Sequence, residues 1–264
     1  MKGHMGNTLI TEDGRHGVVT LRLNRPQSHN AIDAATIDEL TGVLARLQSN
    51  PDIRAVIIRG SADAFCSGVD IAWMQHMLKS ENADDARRVA HLLLSLRNLN
   101  KPTIALLEGP CVGGGVAIAA CCDIVIATEE ASFALPAVQL GTIPSVIAPF
   151  VIEAIGVPQA RRWFLTGETF SADKAKEIGL VHAICMAAQL EATLGEIVTH
   201  LLRGAPKAMA GCKEMINAYA GKPITPALID DMARRIVESR RSQEAQEGLD
   251  AFLAKRPPAW LRED

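Results

Sequence analysis

The chain has 264 residues, of which 48% are hydrophobic and 22% are charged, and its formal net charge is −3 at pH 7. This is the composition of an ordinary folded protein, and the weak negative charge argues against nucleic acid or an anionic membrane as the main partner. No apolar run reaches the roughly 18 residues that a membrane helix needs, and MKGHMG at the start has no apolar signal core. We therefore expect a cytoplasmic protein that does not enter a membrane. GHM resembles a cloning remnant, which would place the native start at Met5.

Strands and helices alternate in the first half of the chain. β-rich apolar runs predict strands, and apolar residues at spacings of three and four predict helices. The predicted strands are 17–23, 53–59, 103–107 and 124–127, and the predicted helices are 33–48, 86–96 and 115–122. This alternation is typical of an α/β protein with largely parallel strand pairing.

The last third of the chain is predicted to be almost entirely helical. Thr225 followed by Pro226 is a good helix start, and Ser242 can cap the last helix. We therefore divide the chain into an α/β core at 5–186 and a helical region at 187–264, which in enzymes of this shape often makes the subunit contacts.

The cysteines give no sign of a disulfide framework or a metal site. Six are present, and none forms a C-x-x-C pair. In so long a chain this favours small buried thiols in a reducing compartment, and we expect no metal.

Residues 111–123, CVGGGVAIAACCD, place three consecutive glycines directly before an apolar run. Glycine adopts positive φ and lets another group approach the backbone closely. These glycines open the helix predicted at 115–122, whose first N–H groups have no partner within the helix and attract negative charge. The dinucleotide and phosphate-loop patterns do not fit, because position 118 is isoleucine and no lysine followed by Ser or Thr is present. The plainer alternative is a tight packing turn.

A second stretch, AFCSGVDIAWM at 64–74, also passes through a glycine into an apolar segment. It is not a nucleophile elbow around Ser67, because Phe65 and Val69 occupy the positions where that motif has glycine. Backbone N–H groups of the two stretches could converge on one oxygen. Such a pair would be an oxyanion hole made of main chain alone, which would explain why neither stretch needs a polar side chain.

Six segments in this order resemble the enoyl-CoA hydratase/isomerase family, the crotonase superfamily, over nearly the whole chain. Two further stretches, VDIAWM (69–74) and IPSVIAPFVIEAIG (143–156), are most similar to its methylglutaconyl-CoA hydratase-like branch. The six segments are LNRPQSHNAID (23–33), AFCSGVDI (64–71), KPTIALLEGPCVGGGVAIAACCDIVIA (101–127), FALPAVQLGTIP (133–144), LTGETFSADKAKEIGLV (165–181) and AFLAKRPPAW (251–260).

The resemblance implies an α/β fold, a crotonase-type spiral of ββα units followed by a helical C-terminal trimerisation region. It implies homotrimers or dimers of trimers, a coenzyme A thioester as substrate and no tightly bound cofactor. It also implies that the backbone N–H groups of Val69 and Gly114 hold the thioester oxygen. The residues implied at coenzyme A are Gln27, Ser28, Ser67 and Ile71, with Phe252 and Lys255 from a neighbouring subunit. For these last two, helix packing and a solvated surface charge are the alternatives.

The two catalytic glutamates of the family's hydratases are absent. By the same resemblance the first would stand at position 117 and the second at 137, and both are alanine. A methyl group cannot transfer a proton. Hydration by the two-glutamate mechanism, and isomerisation, are therefore in question, although members of the methylglutaconyl-like branch often lack the first glutamate.

Few residues are candidates for the missing proton transfer. His76 follows Val69 by seven positions, and an unperturbed histidine suits the task. Gln139 and Ser145 flank position 137 and could hydrogen-bond water or substrate without acting as bases. Surface or packing roles are the alternatives for all three, and we interpret the acids nearby as structural: Asp70, Glu108 and Asp123.

Three functions remain open on the sequence alone. The first is a hydratase or lyase acting on a branched or carboxylated enoyl-CoA. The second is a decarboxylase of a malonyl- or glutaconyl-type thioester, which needs the oxyanion hole but no base to start the reaction. The third is an acyl-CoA binder without turnover.

Overall fold

The computed structural model describes residues 4–5, 8–79 and 83–261. Strands and helices alternate through its first two thirds. The strands are β1 (His4–Met5), β2 (Leu9–Asp13), β3 (Val18–Leu23), β4 (Ala55–Arg59), β5 (Thr103–Leu107), β6 (Pro110–Val112), β7 (Ile124–Thr128), β8 (Ser132–Ala134), β9 (Phe170–Ser171) and β10 (Ala183–Cys185). The helices are α1 (Ala34–Ser49), α2 (Ile71–Met77), α3 (Asp84–Arg97), α4 (Gly114–Cys121), α5 (Ala148–Thr166), α6 (Ala172–Glu177), α7 (Leu190–Arg203), α8 (Pro206–Tyr219), α9 (Pro226–Arg240) and α10 (Gln243–Leu253).

Seven strands form the main sheet, in the order β1-β2-β3-β4-β5-β7-β10. The pairs β1–β2 and β2–β3 are antiparallel. The pairs β3–β4, β4–β5, β5–β7 and β7–β10 are parallel. Each parallel strand lies beside the one before it, so the chain winds in one direction as a spiral. A small second sheet, β6-β8-β9, forms beside the helix that follows the glycines. The predicted α/β class with largely parallel pairing is confirmed.

The long elements match the sequence patterns closely. Helix α1 begins after Asp33, whose side chain accepts a hydrogen bond from the Thr36 N–H, and its apolar face is buried. The predicted caps of α9 and α10 are also present, because Thr225 accepts from the Leu228 N–H and Ser242 from the Ala245 N–H. The sequence did not predict β2 or the small sheet.

The main core lies between the large sheet and helices α1 and α3–α6. Parallel strands covered on both faces bury nearly every side chain, and all five residues of β5 are buried. Helices α8 and α9 differ, since neither contains a fully buried residue in the described part of the structure. No helix among the described residues is long and apolar enough to cross a membrane.

Candidate active site

The loop between β4 and α2 is held edge to edge against the loop that precedes α1. The Ile32 N–H donates to the Gly68 carbonyl at 2.7 Å, and the Asp70 N–H donates to the Ile32 carbonyl at 2.9 Å. These bonds form a parallel bridge between Ile32 and Val69. The Val69 N–H lies between them and has no hydrogen-bond partner among the described residues. It belongs to the same trans peptide as the Gly68 carbonyl, so it points to the side opposite Ile32.

The three consecutive glycines at the start of α4 differ in why the structure needs a residue without a side chain. Gly113 has φ 51° and ψ −105°, a conformation that residues with a side chain rarely adopt. A Cβ on Gly115 would lie 2.8 Å from the Cys66 carbonyl oxygen, so glycine is needed there for close packing. A Cβ on Gly114 would lie at an ordinary 3.5 Å from Ile32 Cδ1. Neither backbone strain nor packing within the chain therefore demands glycine at position 114.

The two turns touch one another. The Val112 N–H donates to the Cys66 carbonyl at 2.8 Å, and Cys66 forms a parallel bridge with Cys111. A Cβ placed on Gly68 would lie only 3.9 Å from the Gly114 nitrogen. Gly114 is the first residue of α4, where an N–H has no partner inside the helix. The structure thus brings the turns that carry the Val69 and Gly114 N–H groups into direct contact.

No reactive thiol lies beside these amides. Cys66 is fully buried, and burial raises the pKa of its thiol to about 12, with a hydrogen bond to Gly68 opposing the rise. A thiol with so high a pKa stays protonated at neutral pH and is a poor nucleophile. Among the described residues, no cluster of side chains suited to a metal ion is found.

A network of ion pairs around Arg25 holds the loop between β4 and α2 in place. The Arg25 guanidinium donates to Asp70 Oδ2 at 2.9 Å and lies 3.2 Å from Asp33 Oδ2. Asp70 also caps α2, accepting from the Ala72 and Trp73 N–H groups. Desolvation alone would raise the pKa of Asp70, but hydrogen bonds from Trp73 and Arg25 outweigh it and the pKa is lowered. Asp70 is therefore a charged, fully engaged structural group.

The positions of the two absent glutamates differ in their surroundings. Ala117 is completely buried within α4. Ala137 is half-buried in a 3₁₀ turn, Pro136–Leu140, that follows β8. At neither position does the chain present a carboxylate.

Among the described residues, none of the candidates for proton transfer forms a hydrogen bond with the paired turns. His76 is exposed in the last turn of α2. Gln139 is exposed, and its Nε2 donates to the Thr166 carbonyl at 3.1 Å, while Ser145 lies in the loop before α5. Of the other acids near the strands, Glu108 pairs with Arg59 at 2.8 Å and Asp123 with Lys213 at 2.8 Å.

The residues expected at coenzyme A fall into two groups. Ser67 Oγ donates to the Ser28 carbonyl at 2.9 Å, so these two are adjacent, and Gln27 lies in the same short turn as Ser28. Ile71 opens α2 and is 75% exposed. Phe252, 79% exposed on α10, and Lys255, just after α10, are at the far end of the chain. Within the described part of the chain, no hydrogen bond or ion pair connects this second group to the first.

Sequence reasoning missed the residues that hold the loops in place. Besides Arg25, the buried Asn30 has φ 58° and uses both ends of its amide. Its Oδ1 accepts from the Arg25 N–H and Ser61 Oγ, and its Nδ2 donates to the carbonyls of Ser61 and Ala64. The signal was present in NRPQSHNAID, because asparagine tolerates a left-handed backbone and often bonds to main chain in turns.

Comparison with known proteins decides the family. A family model described as enoyl-CoA hydratase/isomerase matches residues 13–263. The chain belongs to the enoyl-CoA hydratase/isomerase family. It is therefore an acyl-CoA enzyme of the family that its sequence motifs predicted, and the predicted fold class is confirmed by solved structures of similar shape.

Individual relatives agree with this family assignment. The chain is 34% identical to a probable enoyl-CoA hydratase from Mycobacterium bovis, with 96% of each chain covered. It is 32% identical to a mevalonyl-coenzyme A hydratase from Aspergillus fumigatus, with 92% of this chain and 91% of that one covered. The crystal structure of an enoyl-CoA hydratase from Shewanella pealeana superposes with a TM-score of 0.93 at 36% identity, with 96% of each chain covered.

Proposed function

We propose that this protein holds the carbonyl oxygen of a coenzyme A thioester between the backbone N–H groups of Val69 and Gly114. The observation that carries the proposal is the contact between the two turns, each with a backbone N–H that has no hydrogen-bond partner among the described residues. Donors preorganised around the position of a developing oxyanion stabilise an enolate without reorganisation during the reaction. Gly114 fits this role, because a glycine that the protein's own packing does not require leaves room for a substrate.

The reaction that we propose first is a hydratase or lyase step on a branched or carboxylated enoyl-CoA. The relative from Aspergillus fumigatus named mevalonyl-coenzyme A hydratase supports a branched acyl group, at 32% identity. Water addition needs a proton donor and acceptor within hydrogen-bond reach of the substrate. Because positions 117 and 137 are alanine, we assign proton transfer to His76 and the orientation of water or substrate to Gln139.

Decarboxylation is the second candidate, and a specific observation favours it. Ala137 is only half-buried and can offer an acyl carboxylate an apolar surface where the family's hydratases have a glutamate, and the completely buried Ala117 adds no charge. In a malonyl-type thioester, the bond between the α-carbon and the carboxyl carbon breaks, CO₂ leaves, and the electron pair moves into a thioester enolate held by Val69 and Gly114. A proton from water then adds to the α-carbon, so no base is needed at the start.

The helical C-terminal region is proposed to assemble the protein as a homotrimer or a dimer of trimers. No residue of α8 or α9 is fully buried by the described part of the chain, and both helices present large apolar side chains to solvent. Phe252 and Lys255 would then reach coenzyme A in a neighbouring subunit, while Gln27, Ser28, Ser67 and Ile71 bind it within their own. The thioester is the substrate in this proposal, no cofactor stays tightly bound, and the protein works in the cytoplasm.

The test is to incubate the purified protein with a panel of enoyl-CoA and malonyl-type CoA thioesters and to identify the products by mass. A gain of one water supports the first reaction, and release of CO₂ supports the second. Retained but unchanged ligand would identify an acyl-CoA binder, and hydration that persists in His76→Ala would remove His76 as the proton-transfer residue.

The oxyanion donor is tested separately with two substitutions at one position. Gly114→Pro removes the N–H at the first helical position, where proline is tolerated, and Gly114→Ala keeps the N–H. We expect the proline variant to lose about 10²- to 10³-fold in kcat, as in other losses of a single oxyanion donor. The alanine variant keeps the donor but places a methyl group in the space left for the substrate, so its KM should rise while its kcat falls much less. Equal activity in both variants would contradict the proposal.

A further inference from the structure

The direction of the Val69 N–H depends on the peptide that it shares with Gly68. The carbonyl of that peptide is fixed by the Ile32 N–H at 2.7 Å, and the next amide, Asp70 N–H, is fixed by the Ile32 carbonyl at 2.9 Å. A trans peptide holds its C=O and N–H in opposite directions. Ile32 therefore determines the direction of the Val69 N–H. Any group that fixes the position of Ile32 relative to Asp70 also fixes this direction.

One side chain contacts the residues on either side of this bridge. Arg25 Nη1 donates to the Ala31 carbonyl at 2.6 Å, and Arg25 Nη2 donates to Asp70 Oδ2 at 2.9 Å. Ala31 precedes Ile32 and Asp70 follows Val69, so the planar guanidinium spans both partners of the bridge. The side chain of Arg25 is only 17% exposed, and Asp33 Oδ2 lies 3.2 Å from the same Nη2.

The two oxygens of Asp70 have separate tasks. Oδ1 accepts from the Ala72 and Trp73 N–H groups and caps α2, whereas Oδ2 faces Arg25. The arginine thus connects the start of α1, the start of α2 and the bridge between them. Guanidinium groups suit this task because several donors lie in one rigid plane.

We propose that Arg25 is a positioning residue for the proposed oxyanion hole, acting through Ala31 and Asp70 on the direction of the Val69 N–H. It touches neither substrate nor reacting atoms in this role. The inference rests on the proposed function, because it assumes that Val69 donates to the thioester oxygen. A misplacement of a reacting group by about 1 Å can cost about 10²-fold in rate, which sets the scale of the expected effect.

The test uses butyryl-CoA labelled with ¹³C at the thioester carbonyl, a saturated ligand that the enzyme cannot hydrate. Hydrogen bonds to the carbonyl oxygen lower its infrared stretching frequency, so the band reports on the two amides directly. We expect a clear shift on binding to the wild-type protein and at most half of that shift in Arg25→Met, with the dissociation constant changed less than about 3-fold. On an active thioester from the panel, we expect kcat to fall about 10- to 100-fold with little change in KM.

Three further variants separate positioning from general stability. Arg25→Lys can keep one of the two contacts and should restore part of the band shift. Asp70→Asn keeps an oxygen for the cap of α2 but turns an NH₂ group toward Arg25, so it should reduce the shift even if Arg25→Met does not fold. Arg22→Met removes the ion pair with Glu12 on the outer strands (Arg22 Nε to Oε1, 3.0 Å) and should leave band and kcat unchanged.

The two proposals fail in different ways. If the wild-type band does not move on binding, no oxyanion hole is present and the proposed function falls together with this inference. If the wild-type band moves and Arg25→Met and Asp70→Asn show the same shift, Arg25 does not position Val69, although the oxyanion hole stands.

Discussion

The α/β part of the chain and the C-terminal helices α8 and α9 differ in how far they bury their apolar side chains. In the α/β part, all five residues of β5 are buried, and helices such as α1 and α3 bury one apolar face. In α9, apolar side chains at helical spacing remain in solvent: Ile229 is 53% exposed, Met232 45% and Ile236 48%. The α/β part needs no partner to form a core, whereas a stripe of this kind is buried only when another surface covers it.

The largest effect should come from the core. Phe133 is completely buried and stacks on Phe170, with ring centroids 5.5 Å apart. Phe133→Ala should lower the free energy of unfolding by about 3–5 kcal/mol, measured by urea denaturation. In dilute, dissociated protein, Ile229→Ala should lower it by less than about 0.5 kcal/mol, as expected for a surface substitution. If both substitutions lowered the free energy of unfolding equally, the two regions would not differ in how they bury apolar side chains.

A smaller effect is expected where the core meets the site. Gly115→Ala would bring a Cβ to 2.8 Å from the Cys66 carbonyl oxygen and 2.9 Å from Cys66 Cβ. Forcing atoms into so packed a place should cost about 1–3 kcal/mol of stability. Gly114→Ala is the matched control, because its Cβ would make only an ordinary contact, and its thermal unfolding should stay near that of the wild type. If both variants were as stable as the wild type, close packing would not require glycine at position 115.

A third substitution addresses the exposed stripe of α9. Met232→Asp adds a charge where the proposed assembly needs an apolar surface, so copies should dissociate while the fold of each chain persists. Sedimentation velocity measures the first effect, and far-ultraviolet circular dichroism the second. Glu238→Ala, on the opposite face, removes an exposed pair with Arg234 (2.9 Å), which should matter little. An assembly unaffected by the aspartate would move the contact surface elsewhere.

The smallest effect concerns pH. Hydrogen bonds from Arg235 and Arg234 lower the pKa of Asp231 to about 2, with a further contribution from Tyr219. Because this pKa is below the ordinary value of about 3.9, the stabilisation is complete above about pH 4 and disappears as the pH falls toward 2. Tyr219 is the only tyrosine in the chain, so selective tyrosine labelling and NMR should report loosening between α8 and α9 over this range. In Asp231→Asn, this acid-induced change in the tyrosine signal should be absent.

The sequence predicted the parts of the fold that carry a long pattern. The helix at 33–48 and the buried strands were evident because many residues repeat one spacing, and they match α1, β3, β4, β5 and β7. Strand β2 was missed because two of its five residues, LITED, are acidic and it lies near the edge of the sheet. Strands of two or three residues, such as β6, β8 and β9, contain too few residues to show a pattern.

For the candidate site, the motifs predicted which turns matter but not what holds them. Gly68 and Gly113–Gly115 stand out as glycines before apolar runs. The contact of Arg25 with Asp70 joins residues 45 positions apart, and no local pattern reveals such a pair. The roles of His76 and Gln139 stay predictions, because an exposed histidine and an amide bonded to the Thr166 carbonyl acquire a function only beside a substrate.

The donors proposed at positions 69 and 114 are atoms that every residue except proline possesses. A change of side chain at position 69 would leave its amide in place, so this position can vary to suit different acyl groups while the grip on the oxygen stays the same. Acidic side chains at positions such as 117 and 137 can likewise be gained or lost while both backbone hydrogen bonds to the oxygen remain. A protein built in this way can change the reaction that it catalyses before it loses the ability to stabilise an enolate.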